Sequence, residues 1–295
     1  MSRLRTRCLV LGASSQLGDR VLPYLLEAGY EVHAVSRTPH VESPVAPQLH
    51  WHTLDLAAAE RWPVAVSLVV HLAPVYLLPA LLRHASEPLR VIAISSTSAR
   101  TKHNSPSAAE RRVAQCLLQA EQEARQLCQE NNHTLTLLRP TMLYGLGRDA
   151  TIARMQKFIQ RWGFLPLPAM QTGLRQPVHV DDVALAILQV INEPAAFHKV
   201  YELGGRDCLT VHQLATRIFI DNHKPVRILP IPTWMLSAVL ALLKVLRPRL
   251  DWSPALLKRA ALDQIVNDQA ATVDFKYAPR MFTGVLHPQA LNKLS

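Results

Sequence analysis

Cys8-Leu-Val-Leu-Gly12-Ala-Ser-Ser15-Gln-Leu-Gly18 leads an apolar run straight into small residues, and the pattern that follows is helical: Leu17, Val21, Leu25 and Ala28 recur at the right spacing. Thr6 to Leu11 reads as a buried parallel strand, Gly29 stands where the helix should stop, and Glu31 to Ser36 reads as a second strand. Pro23 lies inside the expected helix and predicts a bend. Gly12 permits the tight turn, Gly18 lets helix approach strand, and the first-turn N–H groups face outward with the helix dipole behind them. Such a βαβ unit is built to hold the pyrophosphate of a dinucleotide, here with Ser15 where a middle glycine is usual.

The residue that ends the second strand normally selects the cofactor, because a carboxylate there binds a free ribose 2′-hydroxyl. This strand ends in Ser36-Arg37. A hydroxyl and a guanidinium favour a 2′-phosphate through charge-assisted hydrogen bonds, so NADP(H) is expected, with NAD(H) the alternative.

The chain has 295 residues, 49% of them hydrophobic and 18% charged, enough for a large α/β core. Its net charge of +10 suits anionic ligands, but no basic run with interleaved aromatics marks a nucleic-acid surface. The basic N-terminus is followed by a short strand and a charged, polar helix, which is not the pattern of a secretory signal. Cys8, Cys116, Cys128 and Cys208 show no metal spacing, and the thirteen histidines include no H-E-x-x-H. A reduced, cytoplasmic protein without a metal site is expected.

Further strands are predicted at Gln48 to Thr53, Val66 to His71, Leu89 to Ser95 and His133 to Leu138, with room for helices between them. The expected class is α/β, a doubly wound parallel sheet with a small C-terminal substrate lobe. Residues 1–147 are assigned to the dinucleotide-binding core, joined by returning segments, and residues 148–295 mainly to the lobe, where prolines break the chain into short pieces.

The Gly12 to Gly18 turn, His71-Leu-Ala73, Ile94-Ser-Ser-Thr97, Leu138-Arg-Pro140 through Tyr144-Gly145, and Val178-His-Val-Asp181-Asp182-Val-Ala184 together resemble the extended short-chain dehydrogenase/reductases. Within them the likeness is to the NAD-dependent epimerase/dehydratase branch, whose members act on nucleotide sugars. It extends through Tyr201 to Gly205 and Val273 to Arg280. The resemblance implies a Rossmann-like fold with a cofactor cradled by Gly12, Ser14, Ser15, Gln16, Leu17 and Gly18. It implies adenine near Asp55 and Leu56, and nicotinamide near Leu72, Ala73, Pro74 and Pro140. It places Thr97 as the catalytic hydroxyl that polarises substrate, and Tyr144, Arg148 and Arg175 on the substrate side. A small-molecule substrate and a homodimer are further implications.

The family's chemistry rests on a tyrosine followed four residues later by a lysine, which share one helical face and exchange a proton with substrate. None of the six tyrosines here is followed by lysine at that spacing. The helix where the pair belongs, Pro106 to Asn131, has neither residue type. If Glu121 marks the register, the pair maps to Val113 and Leu117; if Glu123 does, it maps to Gln115 and Gln119. Val113, Leu117, Ala120, Ala124 and Leu127 form the expected packing stripe. Two functions therefore stay open: an NADP(H)-dependent oxidoreductase or epimerase-like enzyme, and a non-catalytic dinucleotide-binding regulator or structural subunit.

Asp181 and Asp182 are expected to cap the helix they begin. Ile231 to Leu246 is the most apolar stretch, about sixteen residues ending in Arg247-Pro-Arg249 and containing Lys244. It falls short of the roughly twenty residues a spanning helix needs, so it reads as a packed lobe helix, or alternatively as an interfacial one.

Overall fold

The computed structural model describes residues 6–40, 46–59, 62–149, 151–169, 172–235 and 262–285. Six predicted strands form: β1 Arg7–Leu11, β2 Glu31–Ser36, β3 Leu49–Thr53, β4 Leu68–His71, β5 Arg90–Ile94 and β6 Thr134–Pro140. A seventh, Val200–Leu203, which the strand analysis did not find, returns from the C-terminal half to pair in parallel with β6. All neighbours are parallel and the order runs β3-β2-β1-β4-β5-β6 and then Val200–Leu203. The order therefore reverses between β1 and β4, which is where ligands bind in open sheets.

Helix α1, Gly18–Glu27, follows β1 without a break despite Pro23. Its end is set by Gly29 at φ +87°, with Gly29 N–H donating to the Leu26 carbonyl and Tyr30 N–H to that of Leu25. On one face of the sheet α1 packs beside α6, Val180–Ile191, so residues well past 147 complete the core. On the other face lie α2, Leu78–Leu82, and the long α4, Ala108–Glu130; a single turn, α3, Ser98–Thr101, packs on the start of α4.

The α4 stripe holds at Ala120 and Ala124, with Leu117 and Leu127 packed against the same core, and departs from expectation only at its start. Ala114, Ala120, Glu121, Ala124 and Cys128 are buried, whereas Val113 is 46% exposed. The reason is that the first turns of α4 pack on α3, and there Ala114 faces inward.

A third apolar cluster joins α5, Ile152–Trp162, to α7, Val211–Asp221, through Ile152, Ile159, Leu214, Ile218 and Phe219. Two short parallel strands, Leu165–Pro168 and Ile228–Ile231, edge this cluster. Regular structure thus persists past Gly147 because the prolines fall largely at element ends and on this small edge sheet. Residues 236–246 of the apolar stretch lie outside the described residues. Among those described, no helix is long and apolar enough to cross a membrane, and the four cysteines are free.

Candidate functional site

At the switch point, β1 ends in Gly12 and β4 ends under Leu72 and Ala73. Gly12 sits at φ +77°, and a Cβ there would lie 2.7 Å from the Ala73 nitrogen, so turn and neighbouring loop touch through the missing side chain. At Gly18 a Cβ would fall 2.0 Å from the Ala13 carbonyl oxygen, which is the close helix-on-strand approach expected there. Ser15 closes the turn: its N–H donates to the Gly12 carbonyl at 3.1 Å, and its hydroxyl accepts from Gly18 N–H at 3.1 Å. Serine in the middle position therefore supplies an acceptor that a glycine lacks.

Above this turn opens a cavity of about 600 Å³. Gly12, Ser14, Ser15, Ser36, Arg37, Asp55, Leu56, Leu72, Ala73 and Pro74 all line it, so the structure brings together residues from four strand ends. Gln16, Leu17, Gly18 and Pro140 do not line it. Leu17 and Gly18 are buried in the start of α1, and Pro140 closes β6. Tyr76, 53% exposed, also lines the cavity and was missed; the signal was its place just after the β4 end. Ser36 is buried, with its hydroxyl accepting from Thr38 N–H at 3.1 Å, while Arg37 is exposed and has no carboxylate partner among the described residues. Asp55 is turned to its own loop, accepting from Ala57 N–H. A Cβ-free cradle, a helix N-terminus and a free cation suit a dinucleotide.

The substrate-side expectations separate. Thr97 is buried, and its hydroxyl donates to the Pro140 carbonyl at 3.4 Å. Tyr144 is packed edge-on against His179, 5.1 Å between ring centres, and its hydroxyl accepts from Thr283 N–H. Burial pushes that phenol up to about 12, beyond use as a proton donor near neutrality. Arg148 pairs with Asp19 in the first turn of α1. Arg175 is buried and donates to the Leu174 and Leu262 carbonyls at 2.8 and 2.7 Å.

Asp181 and Asp182 do not cap α6. His179 does, its Nδ1 accepting from Asp181 N–H at 3.2 Å. The carboxylates instead receive guanidinium groups: Arg20 of α1 on Asp181, and Arg280 on both. Two cations arriving from distant segments outcompete local N–H groups for charged acceptors.

Beneath the start of the cleft lies a charged network that periodicity did not disclose. Glu121 is fully buried on α4 and accepts from Ser95 Oγ at 2.6 Å, from both Arg139 donors, Nε at 2.9 Å, and from Arg125 at 3.2 Å. Glu123 is on the surface with Arg83. Helical spacing puts Leu117 one turn and Val113 two turns before Glu121; Leu117 is partly buried and Val113 is exposed.

A model of the NAD dependent epimerase/dehydratase family matches residues 8–95. Among curated relatives, the mitochondrial NADH dehydrogenase [ubiquinone] 1 alpha subcomplex subunit 9 of Arabidopsis thaliana is 40% identical over 81 residues, 27% of this chain and 20% of that protein. UDP-glucose 4-epimerase of Vibrio cholerae is 23% identical over 116 residues, 39% of this chain and 35% of that one. The chain thus spans only about a fifth to a third of these relatives. Among solved structures, UDP-glucose 4-epimerase from Thermotoga maritima superimposes with a TM-score of 0.69 at 16% identity, covering 98% of this chain and 99% of that one. UDP-glucuronic acid 4-epimerase from Bacillus cereus, solved with UDP-glucuronic acid and NAD, gives 0.70 at 14% identity over 95% and 96%. The epimerase/dehydratase resemblance therefore holds, and the fold is the Rossmann-like α/β architecture of those epimerases over nearly the whole chain.

Proposed function

We propose that this chain binds NADP(H) in the cavity above Gly12 and holds it without the tyrosine–lysine proton relay of epimerase/dehydratase chemistry, acting as a dinucleotide-binding regulator or structural subunit. The observation that carries this reading is the sequence of α4, Ala108–Glu130, which contains neither tyrosine nor lysine. Whether Glu121 or Glu123 marks the register, the relay positions hold residues that cannot exchange a proton. Arg37 at the β2 end, free of carboxylates, supports a 2′-phosphate. The short match to an NADH dehydrogenase subunit is in keeping with a role inside an assembly.

A second reading is an epimerase-like or oxidoreductase enzyme acting on a nucleotide sugar or a related carbonyl compound. It is favoured by Thr97, which keeps its place at the β5 end, and by neighbours solved with UDP-sugars. A bound nicotinamide would supply hydride there, with the proton carried by substrate or water.

Calorimetric titration with NADPH and NADH, followed by incubation with UDP-glucose and UDP-glucuronic acid, separates these readings. Arg37→Ala is expected to weaken NADPH binding by about tenfold or more and to leave NADH nearly unchanged, the loss of a charge-assisted contact. Failure of the wild-type chain to bind either dinucleotide sinks both readings, and turnover of a sugar nucleotide sinks the first.

A further inference from the structure

The lobe presents one face that is apolar, exposed and surrounded by positive charge. Trp162 at the end of α5 is 57% exposed, Leu229 in the strand Ile228–Ile231 55%, and Trp234, three residues past that strand, 71%. Leu229 stands beside Pro166 in the pairing of Ile228–Ile231 with Leu165–Pro168, and Phe164, Arg227, Ile228 and Leu229 line a groove of about 330 Å³. Phe158 links its two ends, its ring 6.4 Å from Trp162 and 5.6 Å from Phe164. Single exposed apolar residues are ordinary on a protein surface, but Trp162 and Leu229, joined to an apolar groove through Phe158 and Phe164, form a continuous patch.

The charge beside this face has one sign. Arg161 lies over the Trp162 ring at 5.4 Å, and the Lys224 ammonium donates to the Ile159 and Gln160 carbonyls at the end of α5. Residues 152–168 and 222–235 contain five lysines and arginines and no acidic residue. Between Ile231 and Leu246 the sequence is apolar, yet too short to span a bilayer, and basic residues follow at once.

A nucleic acid would use the cations but leave Leu229 and its groove idle, and an apolar protein partner would not call for a rim of one sign. An anionic bilayer surface uses both features: indoles settle at the headgroup level, and cations meet lipid phosphates. We infer that this face docks on an anionic lipid surface, with Trp162, Leu229 and Trp234 entering the headgroup boundary and Arg161 and Arg227 beside the phosphates.

The test is co-sedimentation of the full chain with vesicles of phosphatidylcholine alone and of phosphatidylcholine mixed with phosphatidylglycerol, at low and high salt. Binding is expected to the mixed vesicles, to fall with salt, and to weaken by about tenfold or more in the double variant Leu229→Ser/Trp234→Ser. Arg161→Glu/Arg227→Glu should abolish the preference for anionic lipid. Both changes are at exposed positions, and unaltered urea midpoints exclude misfolding. The inference is overturned if wild type does not pellet with the mixed vesicles, if the variants pellet equally well, or if the face instead mediates a concentration-dependent dimer that these variants dissolve.

Discussion

His71 closes β4 directly beneath the cavity floor, fully buried, with Nε2–H directed at the Pro74 carbonyl at 3.2 Å. Burial pushes its pKa down to about 4, because the imidazolium has no carboxylate nearby to offset lost hydration. The unfolded chain takes up this proton near pH 6.5, well before the folded one does. Stability from a neutral His71 is therefore complete above that pH and is lost as pH falls toward 4, about 2 kcal/mol of it by pH 5. Urea midpoints measured from neutral pH to pH 5 should fall less steeply for His71→Leu than for wild type. An equal slope in both proteins would show that folded and unfolded chains take up this proton alike, and that burial does not hold His71 neutral. In sequence His71 was legible as a strand-end residue; its burial was not, because it depends on α2 and α4 covering that face.

At the scale of the element, α4 combines a surface helix with one buried carboxylate. Ser107 begins it by accepting from Glu110 N–H, and small residues let it approach the sheet closely. Glu121 is tolerated inside because Ser95, Arg125 and Arg139 satisfy it. Arg139→Met leaves that carboxylate buried with only the half-exposed Arg125 as cation, and is expected to cost about 3 kcal/mol in a urea titration. Ser95→Ala should cost about 2 kcal/mol, the net value of a hydrogen bond to a charged group. Near equality of the two variants would mean that water replaces the Arg139 guanidinium. Periodicity found this helix nearly to its ends, but it treated the packing face as apolar throughout. A buried ion pair between α4 and β6 leaves no periodic trace in either segment.

Across the whole molecule, the segment after residue 262 ties lobe to sheet. Gln264 bridges to Arg175, Arg280 reaches Asp181 and Asp182, Phe282 N–H donates to Asp207, and Gly284 N–H to Asp221. Burial alone would raise the Asp181 carboxyl, but Arg20, His179 and Arg280 outweigh it and hold it below the usual range. A depressed carboxylate contributes stability above the ordinary aspartate pKa and loses it as pH falls through the lower folded value. Arg280→Met should therefore lower the thermal midpoint near neutrality, by about 3 kcal/mol in stability, and should narrow its gap from wild type between about pH 5 and pH 3. A gap that stays constant through that range would assign Arg280 to packing alone.

The sequence by itself determined the β1–turn–α1 unit, the basic end of β2 and the loss of the tyrosine–lysine pair. Each is written in residues only a few positions apart, where turn chemistry and periodicity act. Only the tertiary structure decided the seventh strand, the cap by His179, the burial of Glu121 with its partners and the clamp of Arg20 and Arg280 on α6. Those contacts join residues up to 161 positions apart, and which charge meets which carboxylate depends on how the elements pack rather than on any local pattern.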